Sequence, residues 1–361
     1  MSGSTYQQAG VDTERASAGL QGLLRWVEQT HTFRRDVGAV RLPIGYYANV
    51  IDIGHGVGLA ISTDGVGSKL LVAQLMDTYD TVGIDCVAMN ANDILCVGAR
   101  PLSLVDYLAV QTPEPRLLEA LGKGLYEGAR QANITIAGGE LAQIPEMIRG
   151  TREGYAFDLA ATCIGTVPLD RMLVGQDIQE GDLLIGLAST GIHSNGLTLA
   201  RRVLFEHAGF RIDQHIPELG RILGEELLVP TRIYVPEISA MLEAQLPIKA
   251  LLHITGDGFL NLRRVQAEMG FVMEQLPEPP AIFRLMQERG GVSEAEMYRV
   301  FNMGVGFCIV VTPAGAEQVS AIAREHGVTP MRLGRAVADP ARRIWLRPKG
   351  LVSAGHVFAP A

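Results

Sequence analysis

The stretch STDGVGSK at residues 62–69 constrains the fold of this chain more than any other. It follows an apolar, strand-like run and precedes a helix-like run, LLVAQLM, at residues 70–76. Glycines at such a turn let the backbone approach a ligand closely, and the helix start offers free N–H groups to an anion. The spacing is not that of a P-loop. Asp64 and Lys69 predict a nucleotide site with Mg2+ between carboxylate and phosphate, whereas a plain Asp-Gly turn with a solvated lysine is the alternative.

Two further acidic residues lie within or directly after apolar segments in the same half of the chain. Asp93 is the only charged residue between Cys86 and Ala99, and an unpaired carboxylate in such surroundings is costly. Glu140 follows a short predicted strand at residues 133–137 and two glycines. If these acids converge with Asp64, they provide the oxygen ligands of a magnesium–nucleotide site. The alternative for Asp93 is a capping or hydrogen-bonding role within the core.

The second half of the chain repeats the order of strand, glycine-rich turn and helix. A buried strand is predicted at residues 182–188, and STGIHSNG at residues 189–196 leads into an amphipathic helix over 197–207. Small polar residues before a helix are typical of a phosphate-binding site. An Asn-Gly turn with a helix cap is an alternative explanation of the same residues. HITGDG at residues 253–258 precedes another predicted helix over 259–269. Both turns are therefore candidate ligand loops.

Length and composition restrict the class of protein. The 361 residues exceed one ordinary core, so we predict two domains, at residues 1–167 and 168–361. A hydrophobic content of 47% describes a globular protein, and a net charge of −8 without a basic block argues against nucleic-acid binding. No apolar run approaches the roughly 18 residues of a membrane span. Four scattered cysteines predict buried free thiols in a reducing cytoplasm: Cys86, Cys96, Cys163 and Cys308.

Hydrophobic periodicity predicts an α/β (mixed α+β) fold in both domains. Helices are expected at residues 13–30, 70–76, 84–99, 115–132, 231–242, 293–301 and 317–326. Strands are expected at residues 46–53, 56–62, 102–110, 158–166, 307–312 and 343–346. Within the helix at 115–132, the glycines of Gly122-Lys123-Gly124 are expected to serve packing, not phosphate binding.

Eight motifs occur in one order along nearly the whole chain. They are TYQQAGVD (5–12), STDGVGSK (62–69), DCVAMNANDILCVGARP (85–101), AGGE (137–140), GLASTGIHSNGLTLARR (186–202), VPTRIYV (229–235), HITGDGF (253–259) and EMYRVFNMGVGF (296–307). Together they resemble the phosphoribosylformylglycinamidine cyclo-ligase family, also called aminoimidazole ribonucleotide synthetases. The HSNG and FNMGVGF blocks favour this family over relatives in hydrogenase maturation, selenophosphate synthesis and thiamine phosphate phosphorylation.

The resemblance implies a homodimer in which the N-terminal domains pair through their sheets, with a C-terminal α/β domain of mixed sheet packed beside each. It also implies a reaction of purine biosynthesis that uses ATP and Mg2+. Formylglycinamidine ribonucleotide and ATP would give aminoimidazole ribonucleotide, ADP and phosphate. The implied partners are a small nucleotide substrate and a second copy of the chain, in the cytoplasm, with no nucleic acid and no membrane.

The resemblance also assigns roles to the matching residues. Asp64, Asp93 and Glu140 would hold Mg2+ and the triphosphate, Asp93 also serving catalysis, and Lys69 would bind phosphate oxygens as a catalytic residue. The ATP loops would further include Gly65, Gly67, Ser68 and Gly139. The substrate loop would comprise His193, Ser194, Asn195 and Gly196, with His193 as a proton shuttle. His253, Thr255, Asp12 and Asn302 are further substrate-side candidates.

Three positions depart from the pattern of that family. LPIGYY at residues 42–47 stands where a Gly-Gly-Phe-Gly run is usual, Leu141 stands where a threonine is usual, and Asp257 replaces a glycine. These departures motivate two alternatives: an ATP-using paralogue that acts on another substrate, and a nucleotide-binding regulator without turnover. Formation of ADP that depends on the cyclisation substrate separates these readings.

Overall fold

The computed structural model describes residues 9–10 and 13–361, so the candidate Asp12 lies outside the described residues. The first helix, α1, spans Thr13–Val27 and continues as a 3-10 helix over Glu28–Phe33. The helix predicted over 13–30 is therefore confirmed. Its apolar positions recur at helical spacing, which favours this conformation.

A five-stranded sheet follows, in the spatial order β1-β2-β5-β3-β4. Its strands are β1 Asn49–Asp52, β2 Val57–Gly65, β3 Arg100–Val110, β4 Thr135–Gln143 and β5 Phe157–Pro168. All neighbours are antiparallel except β3 and β4, which run parallel. The candidate loop at residues 62–69 thus starts at the C-terminal end of an inner strand.

Three helices accompany this sheet: α2 Lys69–Met76, α3 Asp80–Leu95 and α4 Pro115–Ala132. α3 packs against β2, β3 and β5, and α4 packs against α3. The two helices approach closely because glycines meet where they cross. A Cβ atom at Gly124 would collide with the carbonyl oxygen of Asp80, and one at Gly83 would collide with the backbone amide of Leu125. Gly124 therefore serves packing, as predicted.

The face of the five-stranded sheet that points away from α3 carries exposed apolar side chains. Val105 and Tyr107 of β3 are each 44% exposed. Glu140 of the edge strand β4 is exposed and pairs with Tyr107 across the ladder, so both side chains lie on this outer face.

A second, eight-stranded sheet has the order β15-β14-β13-β10-β12-β6-β11-β9. Only β10 and β13 pair in parallel, which makes the sheet mixed, as predicted. Its strands are β6 Leu183–Ala188, β9 Ile248–His253, β10 Met269–Met273, β11 Val305–Val311, β12 Pro330–Ala338, β13 Ile344–Leu346, β14 Leu351–Ala354 and β15 Val357–Pro360. A small ribbon joins β7 His215–Ile216 to β8 Arg221–Ile222. Every residue of β11 is buried, so this strand lies in the core.

Six helices belong to the second half of the described chain. They are α5 Leu197–Arg201, α6 Leu223–Leu227, α7 Val235–Glu243, α8 Ala281–Gly290, α9 Glu294–Val300 and α10 Ala316–Glu325. α5 passes directly into a π-helical turn over Arg202–His207. No helix in the described ranges has both the length and the apolar character that a membrane crossing requires. All four cysteines are buried and free, as predicted.

Two predictions of local structure were wrong. Residues 259–269 do not form an α-helix: a 3-10 helix covers Gly258–Arg264, and Met269 already belongs to β10. Glu140 does not follow the end of a strand, because β4 continues through both glycines to Gln143. The parallel ladder with β3 supplies hydrogen-bond partners along that whole stretch, and this outweighs the low strand propensity of glycine.

Candidate active site

The end of β2 is fixed to α3 by the side chain of Asn90. The backbone N–H of Asp64 donates to Oδ1 of Asn90 over 2.9 Å, and Nδ2 of Asn90 donates to the carbonyl of Asp64 over 3.1 Å. Asn90 is fully buried and also bonds the carbonyl of Cys86 within its own helix. The side chain of Asp64 is thereby held at the junction of the sheet and α3.

Asp64 and Asp93 share one electrostatic environment. Burial raises the pKa of the Asp64 carboxyl to about 6, and the nearby charge of Asp93 adds to this increase. A hydrogen bond from the N–H of Gly65 and the positive fields of His253 and Arg264 oppose it. Two carboxylates at close quarters in a partly desolvated site are a donor set that a divalent cation would stabilise.

Asp93 also joins α3 to the second sheet. Its Oδ1 lies 2.9 Å from Nδ1 of His253, which is fully buried at the end of β9. Nε2 of His253 lies 3.5 Å from the side-chain amide nitrogen of Asn92. The structure therefore brings together three of the predicted residues, Asp64, Asp93 and His253.

Lys69 occupies a different environment from the one expected. Its side chain is completely buried, and Nζ contacts Oδ1 of Asp85 at 2.9 Å and the carbonyl of Val229 at 2.6 Å. Oδ1 of Asp85 further accepts the N–H and hydroxyl of Thr231 and the hydroxyl of Ser194. The ammonium of Lys69 is thus engaged inside the protein, where a buried charge requires partners, and does not face an open phosphate site.

Asp85 was missed from the sequence, although a signal existed. It is a carboxylate within the same apolar helix as Asp93, and the same argument about burial applies to it. Its partners Ser194 and Thr231 lie 109 and 146 residues further along the chain. Asp85 consequently anchors the HSNG loop of the second half to a helix of the first half.

His193 lies in this loop in a left-handed conformation, with φ of 68°, and is 3% exposed. Its Nε2 lies 3.2 Å from the backbone N–H of Thr190 and 3.5 Å from that of Arg232, so Nε2 accepts and Nδ1 carries the proton. Within the described chain, Nδ1 has no hydrogen-bond partner. Burial lowers the pKa of His193 well below its ordinary value, and the charges of His253, Lys69 and Arg232 add to this. The imidazole is therefore neutral, with one buried donor unused.

The rest of the HSNG loop packs against neighbouring turns. Gly196 has a φ of 81°, and a Cβ atom there would collide with the ring of Phe301, so glycine is required twice over. Asn195 lies beside Gly256, since a Cβ atom on that glycine would sit 3.4 Å from the side-chain amide. Thr255 donates its N–H to Oδ1 of Asn261 over 2.8 Å. The loops at 193–196 and 253–258 are therefore adjacent.

Asn302 has a clear structural role in the same region. Its Nδ2 donates to the carbonyls of Gly191 and Ile192, while its Oδ1 accepts from Ser189 and from the N–H of Gly304. The side chain is 3% exposed. Asn302 thus holds the stretch before His193 against the loop before β11, which makes it a support of the site.

The loop at residues 65–68, which was predicted to bind ATP, lies against α5. Gly67 has a φ of 72° and an open surrounding, and the hydroxyl of Ser68 lies 2.9 Å from that of Thr198 at the start of α5. Gly65 ends β2 and donates its N–H to the Asp64 carboxylate. The stretch at 62–69 therefore touches the helix that follows the HSNG loop.

Glu140 does not lie beside Asp64 within one chain. Asp64 aligns across the sheet with Ala161, Asp106 and Gly139, and this side of the sheet faces α3. Glu140 is one residue further along β4 than Gly139 and therefore faces the opposite side of the sheet. Three strand spacings, about 14 Å, separate it from this part of β2. Among residues 9–10 and 13–361, no group of three or more His, Cys, Asp or Glu side chains is close enough to hold a metal ion. The three acids do not converge in the single chain.

Asp106 and Arg264 were also missed. Asp106 is half-buried and projects over Gly139, where a Cβ atom would collide with its carboxylate. Arg264 stacks on the ring of Tyr47 at 4.7 Å and pairs with Asp257 at 3.2 Å. The additional negative charge of Asp257 is therefore compensated by a neighbouring guanidinium. No motif marked Arg264, because its partners Tyr47 and Asp257 come from two separate segments.

Family models match most of the chain. The model described as "AIR synthase related protein, N-terminal domain" matches residues 45–167, and the corresponding C-terminal domain model matches residues 179–347. These matches fall on the two sheets described above.

Two similar proteins bear the name phosphoribosylformylglycinamidine cyclo-ligase. The one from Methanothermobacter thermautotrophicus is 47% identical over 318 residues, which cover 88% of this chain and 90% of that protein. The one from Thermococcus kodakarensis is 46% identical over 341 residues, covering 94% and 97%. Among solved structures, PurL from T. maritima complexed with ADP has a TM-score of 0.56 at 13% identity, covering 84% of this chain and 44% of that one. That likeness shows a shared fold.

Proposed function

The chain belongs to the AIR synthase related family, and on that premise we propose that it is an ATP-dependent cyclo-ligase of purine biosynthesis. It converts formylglycinamidine ribonucleotide to 5-aminoimidazole ribonucleotide with release of ADP and phosphate. The observation that carries this proposal is 47% identity to a named cyclo-ligase across nearly the full length of both proteins.

The chemistry has two steps. The formyl amide oxygen attacks the γ-phosphorus of ATP, and ADP leaves, which turns a poor leaving group into a phosphate. The amidine nitrogen of the same molecule then attacks the activated carbon and closes the five-membered ring, and phosphate and a proton depart. Because both partners of the second step are in one molecule, correct folding of the substrate supplies the proximity. The protein mainly has to position the groups and compensate charge.

The donor set at Asp64 and Asp93 fits Mg2+. Both are carboxylates, the pKa of Asp64 is raised by burial and by Asp93, and a divalent cation would compensate both charges. The cation would supply charge neutralisation at the triphosphate. The neutral, buried Nδ1–H of His193 is an unused donor, and we assign it to the substrate. Glu140 remains a proposed ATP ligand, although in a single chain it faces away from Asp64.

Lys69 is assigned a supporting role in this proposal. Its ammonium and the Asp85 carboxylate hold Ser194 and Thr231, so the pair fixes the HSNG loop against α3. The ATP phosphates would then rely on Mg2+ and on the backbone of residues 65–68 for charge compensation.

We further propose a homodimer that forms through the outer face of the five-stranded sheet. Val105 and Tyr107 are large, exposed and adjacent to Glu140 on that face, while α3 covers the opposite face. Burial of such side chains against a second copy would remove apolar surface from water. We also propose a cytoplasmic location, which fits the buried free thiols of the four cysteines.

The direct test mixes the purified protein with formylglycinamidine ribonucleotide, ATP and Mg2+, and quantifies aminoimidazole ribonucleotide and ADP together. Equal formation of both products is expected. ADP formation without the aminoimidazole product, or no reaction at all, would contradict the proposal. Controls without the ribonucleotide and with an Asp64→Asn variant exclude background ATP hydrolysis.

A further inference from the structure

One arginine near the site, Arg201, forms no hydrogen bond or ion pair in the described part of the chain, although the charge of Glu206 acts on it. Its side chain is partly buried, and its Nε is inaccessible to solvent and unsatisfied. Burial lowers the pKa of its guanidinium. Nε of its neighbour Arg202 is also buried without a hydrogen bond, but it lies 3.9 Å from the carboxylate of Glu206 in an ion pair. A buried N–H without a hydrogen bond is costly, and an anionic ligand at Nε would remove this cost.

The position of Arg201 connects the two candidate loops. It is the last residue of α5, which begins directly after Gly196 of the HSNG loop. Thr198 precedes Arg201 by three residues and therefore shares its helix face. The hydroxyl of Thr198 lies 2.9 Å from that of Ser68, in the stretch at 62–69. Arg201 therefore shares a helix face with Thr198, the residue at which the two loops meet.

The backbone at Arg201 departs from a regular α-helix. The α-helical turns end at this residue, and a π-helical turn begins at Arg202. Single π turns in helices occur frequently at functional sites, because they redirect side chains. The irregularity begins directly after Arg201 and includes the ion pair of Arg202 with Glu206.

We propose that Arg201 binds the 5′-phosphate of the ribonucleotide substrate. This assignment rests on the proposed function, which supplies a phosphoribosyl group. A guanidinium forms bidentate, charge-assisted hydrogen bonds with phosphate oxygens, and these would satisfy the unpaired Nε. The triphosphate of ATP has Mg2+ to compensate its charge, whereas a phosphate monoester needs a cation from the protein itself.

Kinetics of Arg201→Gln test the assignment, with Arg202→Gln as the matched control. Loss of a charge-assisted contact predicts a KM for formylglycinamidine ribonucleotide about 10- to 100-fold higher, with the KM for ATP unchanged. Arg201→Lys should recover part of the loss, and it also replaces the glutamine variant if that variant fails to fold. On the dephosphorylated ribonucleoside, wild type and Arg201→Gln should be equally poor.

Three results would overturn the assignment: an unchanged KM for the ribonucleotide, a raised KM for ATP alone, or the same penalty on the ribonucleoside. A calorimetric titration with ribose 5-phosphate separates this assignment from the proposed reaction. If the wild type binds ribose 5-phosphate and Arg201→Gln does not, the phosphate site stands even when no aminoimidazole product forms. If both bind it equally, the phosphate site is refuted even when the wild type is active.

Discussion

The ammonium of Lys69 lies 2.9 Å from Oδ1 of Asp85, and both side chains are completely shielded from solvent. Asp85 belongs to α3, whereas its other donors, Ser194 and Thr231, belong to the second half of the chain. One carboxylate therefore holds together the two halves of the site. The ion pair gains its importance from what it positions, since a buried pair contributes little net stability against its desolvation cost.

Removal of the lysine charge alone should destabilise the protein strongly. Lys69→Met leaves the carboxylate of Asp85 buried without a counter-charge, which costs about 3–5 kcal/mol in the free energy of unfolding. The double variant Lys69→Met/Asp85→Asn should recover a substantial part, because the amide is neutral and its oxygen still accepts from Thr231. Urea denaturation measures all three proteins. A Lys69→Met variant of normal stability that has lost only its affinity for ATP would show that Lys69 binds phosphate after all.

Replacement of Asp64 should affect chemistry far more than folding. Asp64→Asn preserves an oxygen that accepts the N–H of Gly65 but removes the charge that would hold Mg2+. We expect ADP formation to fall by roughly 100-fold or more, with an unchanged circular dichroism spectrum. Asp170→Asn, at an exposed position just beyond β5, is the control for loss of one negative charge. Normal turnover of Asp64→Asn would refute the metal assignment.

The buried, neutral His193 should make stability sensitive to mild acid. Its pKa in the folded state lies well below the ordinary 6.5, so below that pH the unfolded chain binds a proton that the folded chain does not. Stability is therefore retained above pH 6.5 and lost as the pH falls, by about 1.4 kcal/mol for each pH unit.

The variant His193→Asn removes this titration and tolerates the left-handed backbone at that position. Its free energy of unfolding, measured in urea at pH 7.5 and pH 5.5, should change less than that of the wild type. Equal pH dependence of the two proteins would mean that His193 becomes protonated in the folded state.

A charge on the outer face of the five-stranded sheet should break the proposed dimer. Val105→Glu places a carboxylate among apolar side chains that would be buried against the second copy, where it has no counter-charge. Light scattering coupled to size exclusion should report a dimer for the wild type and a monomer for the variant. Val357→Glu, at an equally exposed strand position in the second sheet, should remain dimeric. A wild type that is monomeric at micromolar concentration would contradict the proposal.

The local pattern predicted most elements, because helices and strands follow from the spacing of apolar residues. It correctly placed Asp64 at the end of a strand and Asp93 within an apolar helix. It could not place Glu140, because β4 contains a bulge: Ile136 pairs with Leu104, but Gly138 pairs with Val105, so Ala137 is skipped. If the pairing continued from Ile136 without the bulge, Glu140 would pair with Leu108 and face α3, on the same side as Asp64.

Contacts between distant segments were equally inaccessible from the sequence. The stacking of Arg264 on Tyr47 depends on how the segment at 42–47 meets the 3-10 helix over Gly258–Arg264. Neither hydrophobic periodicity nor a sequence motif predicts such a contact between distant segments. The departures at 42–47 and at Asp257, which looked independent in the sequence, share one arginine in the structure.

The crossing of α3 and α4 at Gly83 and Gly124 gives a remote position control over the reaction. α3 carries Asp85, Asn90 and Asp93, so a shift of this helix alters the loop anchor, the end of β2 and the partner of His253 in one movement. A single methyl group at Gly124, on the outer helix and away from any ligand, would push α3 along its contact with the sheet. The rate of ring closure therefore depends on the distance between α3 and α4 at their crossing. A variant at that crossing would resemble an active-site mutant, although it touches no reacting group.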